Sequence, residues 1–124
     1  MEFFKIIDKQ VTEAQIQEHI KPRSLEDFTE TMFVLETISE SEFKGVTLWG
    51  EFHISYQKIK GGVRFTLLDC PNALAWTITT GYPPAREKIV LHATINRTQK
   101  QEHFIEEIDE FVQEWEEGLS NEFN

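Results

Sequence analysis

The 124-residue chain has a single cysteine, Cys70, so no disulfide forms within it and no thiolate cage can hold zinc. Its first residues lack a basic region followed by an apolar run and a small-residue cleavage site. No apolar stretch approaches the ~20 residues that span a bilayer. A cytoplasmic protein with no membrane partner is expected. Proline and glycine number only four and six, and no linker, repeat or low-complexity segment is visible. One domain over residues 1–119, with a short tail at 120–124, is therefore expected. Cations are also scarce, 12 Lys and Arg against 22 Asp and Glu, for a net charge of −10. Nucleic-acid binding relies on cations that neutralise phosphates, so it is not expected here. A basic protein partner is the natural complement.

The shortage of cations is local. No Lys or Arg follows Lys100, whereas nine acidic residues do. That stretch reads as a long helix over residues 98–119. Thr98 and Gln101 form a capping box, each side chain satisfying a backbone N–H at the helix start. Phe104, Ile108, Phe111, Trp115 and Leu119 recur at helical spacing, widened by Ile105 and Val112, so one face must be buried. Glu102, Glu106, Glu107, Asp109, Glu110, Glu114, Glu116 and Glu117 occupy the other faces, and Gly118 reads as a frayed end. Like charges at i to i+4 spacing cost about 0.2–0.5 kcal/mol per pair, with no interleaved lysine to relieve them.

Upstream, residues 2–7 are apolar on both sides, as in a short buried strand. Thr12 and Gln15 make a second capping box, with Val11 and Ile16 as a hydrophobic staple, and the helix they open ends before Pro22. Ser24 and Asp27 open another helix, in which Leu25, Phe28, Met32 and Leu35 keep helical spacing to about Ile38. The part from Met32 to Leu35 suits a buried strand equally well. From Gly45 the period becomes 2. In one long strand or two short ones, Val46, Leu48, Phe52, Ile54 and Tyr56 fall on the inner side, with Trp49 and His53 on the outer, and Gly50 a bulge or bend. Gly61-Gly62 reads as a two-residue hairpin turn, which sets Tyr56 opposite Leu67 and His53 opposite Cys70. Pro71-Asn72 reads as another tight turn, setting Leu67 opposite Trp76 and Phe65 opposite Ile78. A last strand carries Ile89, Leu91, Ala93 and Ile95 inward.

An α+β fold follows: an antiparallel meander of about four to six strands, packed on one face by the long C-terminal helix, with two N-terminal helices. The order β-α-α-β(4–5)-α resembles a reduced helix-grip fold, an architecture of many small-ligand carriers. The likeness is one of topology, and fold does not decide function.

No motif marks an enzyme. His53 and Cys70 are placed to touch across a hairpin, but no third residue orients them, and a chance cross-strand pair is the plainer reading. His53, His92 and Glu51 give no better metal set, so no cofactor or metal is expected. The acidic helix reads more plausibly as a partner-binding surface through Glu106, Glu107, Asp109, Glu110, Glu114 and Glu117 than as an acid–base pair, because exposed carboxylates in a row are not differentiated. A cavity between helix and sheet, lined by Phe52, Tyr56, Phe65, Trp76, Phe104 and Phe111, is the alternative, against the plain reading of these six as core. Trp49, Val90 and Leu68 put apolar groups on the outer sheet face. Either the N-terminal elements or a second copy in a homodimer would cover them. Tyr82, Pro83, Pro84 and Arg86 form an irregular loop that suits a binding tip and an ordinary connection equally well.

Overall fold

The computed structural model describes residues 1–96 and 102–123. Strand β1 (Glu2–Ile7) leads into α1 (Glu13–His19), a 3-10 turn (Pro22–Ser24) and α2 (Leu25–Phe28). Six further strands follow: β2 (Phe33–Thr37), β3 (Glu42–Thr47), β4 (Gly50–Ile59), β5 (Gly62–Leu67), β6 (Ala75–Thr79) and β7 (Ile89–Thr94). Helix α3 (Glu102–Glu122) closes the order. Among the described residues the seven strands form one antiparallel sheet, β1-β7-β6-β5-β4-β3-β2. The fold is α+β, with a larger sheet than the sequence suggests.

The extra strand comes from the ambiguous stretch. The helix opened by Ser24 ends at Phe28, and Phe33–Thr37 instead pairs with β3. Ser24 does not cap α2; its hydroxyl turns back to the carbonyls of His19 and Lys21. β1 and β2 are the two edges of the sheet, and neither is buried throughout. Phe4, Ile6, Phe33 and Leu35 are each two-fifths or more exposed, because an edge strand has a neighbour on one side only.

The capping box at Thr12 forms as expected: the Thr12 amide donates to Gln15 Oε1 at 2.8 Å, and the Gln15 amide to Thr12 Oγ1 at 3.1 Å. α1 is then tied to the β4–β5 hairpin. Gln17 Nε2 donates to the carbonyls of Ile59 and Gly62, and the Gly61 amide donates to Glu13. The capping box at Thr98 lies outside the described residues.

Three registers differ from expectation. In β3 the inward residues are Phe43, Gly45 and Thr47, not Val46 and Leu48, because the chain turns at Leu48-Trp49 rather than running on to Gly50. Thr47 Oγ1 accepts from the Trp49 amide and donates to the Gly50 carbonyl, closing that turn. The next hairpin turns on Lys60-Gly61, so Tyr56 faces Phe65 and Ile54 faces Leu67. Gly61 supplies the positive φ of 93°. Gly62 serves a different need: a Cβ there would collide with the backbone of Ile78 on β6. The third connection spans residues 68–74 instead of a two-residue turn, and Phe65 faces Trp76 while Val63 faces Ile78. Both hairpin shifts are by two residues, so each side chain keeps its face.

The core lies between the sheet and the helices. Phe65, Trp76, Ile78, Ile89, Ala93, Ile108, Trp115 and Leu119 are fully enclosed. α3 does not fray at Gly118 or stop at Leu119. It runs to Glu122, and Phe123 beyond it is buried against Phe28 and His19. At Gly118 the backbone of α3 lies against that of α2: a Cβ there would lie 2.8 Å from the Phe28 carbonyl carbon.

Candidate functional site

The carboxylates of α3 meet those of α2. Residues one and two turns apart on α3 fall on one stripe, so Glu110, Glu114 and Glu117 point the same way. The short helix α2 and its C-terminal end bring Glu26, Asp27 and Glu30 to the same place. These six line an open groove of about 420 Å³, with Phe28, Gln113 and Gly118 among its other walls. Among the described residues no Lys or Arg lines it. Among the described residues none of the six is in an ion pair; the four pairs present join Lys44 to Glu51, His53 to Glu42, Lys88 to Asp8 and His92 to Glu2.

Two hydroxyls fix the groove's geometry. Thr29, buried at the end of α2, donates to Glu114 Oε1, and Thr31 donates to the same oxygen at 2.8 Å. Glu114 is thereby oriented, while Glu110 stays exposed and Glu117 accepts from Gln113 Nε2 at 3.4 Å. The close α2–α3 approach at Gly118 sets the two acidic rows side by side.

Of the six α3 acids singled out from the sequence, Glu110, Glu114 and Glu117 line the groove. Glu106 and Glu107 continue the same stripe one turn earlier by helical spacing, half-exposed to exposed. Asp109 lies about 100° round the helix from Glu110 and off that stripe. Sequence reasoning missed Glu26, Asp27 and Glu30. Their density within five residues is the signal in the sequence, but helical spacing from Leu25 does not show that the helix stops at Phe28 and docks against α3.

Of the six aromatic residues offered as a cavity lining, Tyr56, Phe65, Trp76 and Phe111 pack on one another. Tyr56 and Phe65 ring centroids are 5.2 Å apart, Phe65 stacks on Trp76 at 5.2 Å, and Trp76 meets Phe111 edge-on at 4.9 Å. Phe65 and Trp76 are wholly buried and Phe111 nearly so, whereas Phe52 and Phe104 lie at the margin. Trp49 belongs to this group and not to the outer sheet face. From its turn it reaches Phe104 at 5.9 Å and Phe111 at 5.5 Å. Tyr56 sends its hydroxyl to the Ile20 carbonyl at 2.6 Å, and burial pushes its pKa up to about 12.

His53 and Cys70 are not brought together as a reactive pair. The His53 ring faces Glu42 at 3.6 Å, its amide donates to Asp69, and Cys70 sits half-buried against the core in the β5–β6 connection. His92 stacks on Phe4 at 4.2 Å and meets Glu2 at 3.1 Å. It stands on β7, three strand spacings or roughly 14 Å from β4, so it does not join His53. Among the described residues no group of three or more His, Cys, Asp and Glu could hold a metal ion. Val90 faces outward yet is buried between its strand neighbours Ile6 and Thr79, while Leu68 is half exposed. Tyr82 pins its loop to the β4–β5 turn, donating to the Lys60 carbonyl at 2.7 Å. Among the described residues no helix is long and apolar enough to cross a membrane.

No family model and no curated protein matches the chain.

Proposed function

We propose that the protein is a non-enzymatic acidic binding protein of the cytoplasm that engages a basic protein partner through the α2–α3 groove. Inhibitor, immunity, chaperone or nucleic-acid-mimic roles all share this chemistry. The observation that carries the reading is the set of six carboxylates lining one groove, none of them in an ion pair among the described residues. An acidic surface that served only stability would draw cations from its own chain, since paired charges relieve repulsion. Here they are left to an outside cation. Arginine or lysine side chains from a basic loop or helix would enter between the rows, with Glu114 already oriented by Thr29 and Thr31. Opposite charges would speed encounter, and the association rate would fall as salt rises.

The alternative is a small-ligand carrier or minor enzyme with a helix-grip arrangement. The strand–helix order supports it, but a ligand beneath α3 would have to part Phe65, Trp76 and Phe111, whose rings are in contact.

Binding of a fluorescent oligo-arginine peptide tests the proposal. Wild-type protein is expected to bind at low salt and to lose affinity as salt rises. The triple variant Glu26→Gln, Glu110→Gln, Glu117→Gln, which spares Glu114, should bind at least tenfold more weakly. Equal binding by the two proteins would overturn the assignment of the groove, and no binding by either would overturn the acidic-partner reading.

A further inference from the structure

On the other side of the 3-10 turn the charge reverses. Lys21 and Arg23, flanking Pro22, and Lys58 on β4 line an open groove of about 990 Å³. Glu40 is the one acid among its lining residues. Among the described residues none of the three cations is in an ion pair, although Lys44 and Lys88 both find carboxylates. In a chain of net charge −10, three of twelve Lys and Arg lining one recess beside a single acid is a local reversal of charge. Tyr56 forms the buried floor, locked by its bond to Ile20, and Pro22 and Ile59 add half-buried apolar wall. Ser39 and Ser41 add hydroxyls at the rim.

We propose that this groove binds a small phosphorylated molecule, its phosphate monoester held by Lys21, Arg23 and Lys58 and its organic body laid against Pro22 and Ile59. Charge selects the class. Three cations less one carboxylate leave two positive charges, which a phosphate monoester at about −1.5 to −2 neutralises and a single carboxylate does not. The arginine fork matches phosphate oxygens, and each lysine adds a point charge. Size adds the organic body, because the recess is far larger than phosphate and falls in the range of roughly 300–1,000 Å³ typical of small-molecule sites. Nucleic acid and anionic membranes carry the same phosphate chemistry on extended surfaces. The acidic groove on neighbouring α2 and the net charge oppose their approach, whereas a small ion inside the Debye length of about 8 Å meets the three local cations first.

The test is titration of isotope-labelled full-length protein, followed by NMR, with p-nitrophenyl phosphate and separately with inorganic phosphate. Saturable binding is expected, tighter for p-nitrophenyl phosphate, with shifts centred on residues 21–23, 39–41 and 56–59. Arg23→Gln and Lys58→Gln should each weaken it at least tenfold, while Lys5→Gln, on the far edge strand β1, should leave it unchanged. The replaced side chains are exposed, and thermal melts confirm that the variants fold. No saturable binding by the wild type would overturn the proposal. So would equal loss in Lys5→Gln, or binding only to phosphatidylcholine vesicles carrying phosphatidic acid.

Discussion

Replacing Gly118 by alanine sets two effects of opposite sign against each other. In a helix that touched nothing at this point, alanine would stabilise by about 1 kcal/mol, because glycine loses more backbone entropy on folding. In this protein the new Cβ would stand 2.8 and 2.9 Å from the carbonyl carbon and Cα of Phe28, and closer still to its carbonyl oxygen. Those are backbone atoms, which cannot swing aside as a side-chain tip can. α2 must move, and Phe28 is stacked on Trp115 at 5.9 Å and packed on Phe123 at 6.0 Å. Overpacking of this kind costs about 1–3 kcal/mol, and more where backbone is involved. The net expectation is a loss of about 1–3 kcal/mol. For a chain of this length that lowers Tm by roughly 4 °C per kcal/mol. A calorimetric melt, with urea unfolding as a second measure, reads the sign directly. A rise in Tm of a few degrees would show that α3 and α2 do not meet at Gly118, and the acidic groove that depends on their approach would go with it.

Other outcomes follow from single contacts. Tyr56 has its folded pKa raised to about 12 by burial, against about 10 when unfolded. Its contribution to stability is therefore constant below pH 10 and falls between pH 10 and 12 as the unfolded chain ionises first, by about 2.7 kcal/mol in all. Urea midpoints measured at pH 8 and pH 11 should diverge in the wild type and converge in Tyr56→Phe, which itself loses about 1 kcal/mol with the bond to Ile20. Thr12→Ala removes one half of the capping box and should cost about 1 kcal/mol; an unchanged denaturation midpoint would mean that α1 is held by the β4–β5 hairpin alone. Glu110→Gln with Glu117→Gln relieves like-charge repulsion and should raise Tm by a degree or more at low salt, but not at 1 M salt, where the charges are screened. A salt-independent change would point to packing instead.

The elements that rest on near neighbours in the chain were legible beforehand. The Thr12 capping box, the end of α1 before Pro22, the period-2 strands and the amphipathic C-terminal helix are all local patterns, and all are found among the described residues. What went astray involved contacts from far along the chain. Gly62 and Gly118 look like turn and end markers, yet each is small because another element's backbone lies against it. Trp49 alternates as an outward residue, but its turn swings the ring onto α3. The stretch 32–38 has helical spacing, yet pairing with β3 prevails.

Half of the acidic groove was visible as an unrelieved row on α3. The other half was not, because Glu26, Asp27 and Glu30 become neighbours of that row only when α2 breaks off at Phe28 and docks beside Gly118. The sequence by itself determined the charge imbalance, the faces of the strands and the oily stripe of the last helix, since each depends only on residue order and helical or extended geometry. Tertiary structure alone decided which carboxylates share a groove, which cations gather in the opposite recess and which glycines are indispensable. Those depend on the approach of segments distant in sequence, where steric contact between backbones, and not local periodicity, chooses the arrangement.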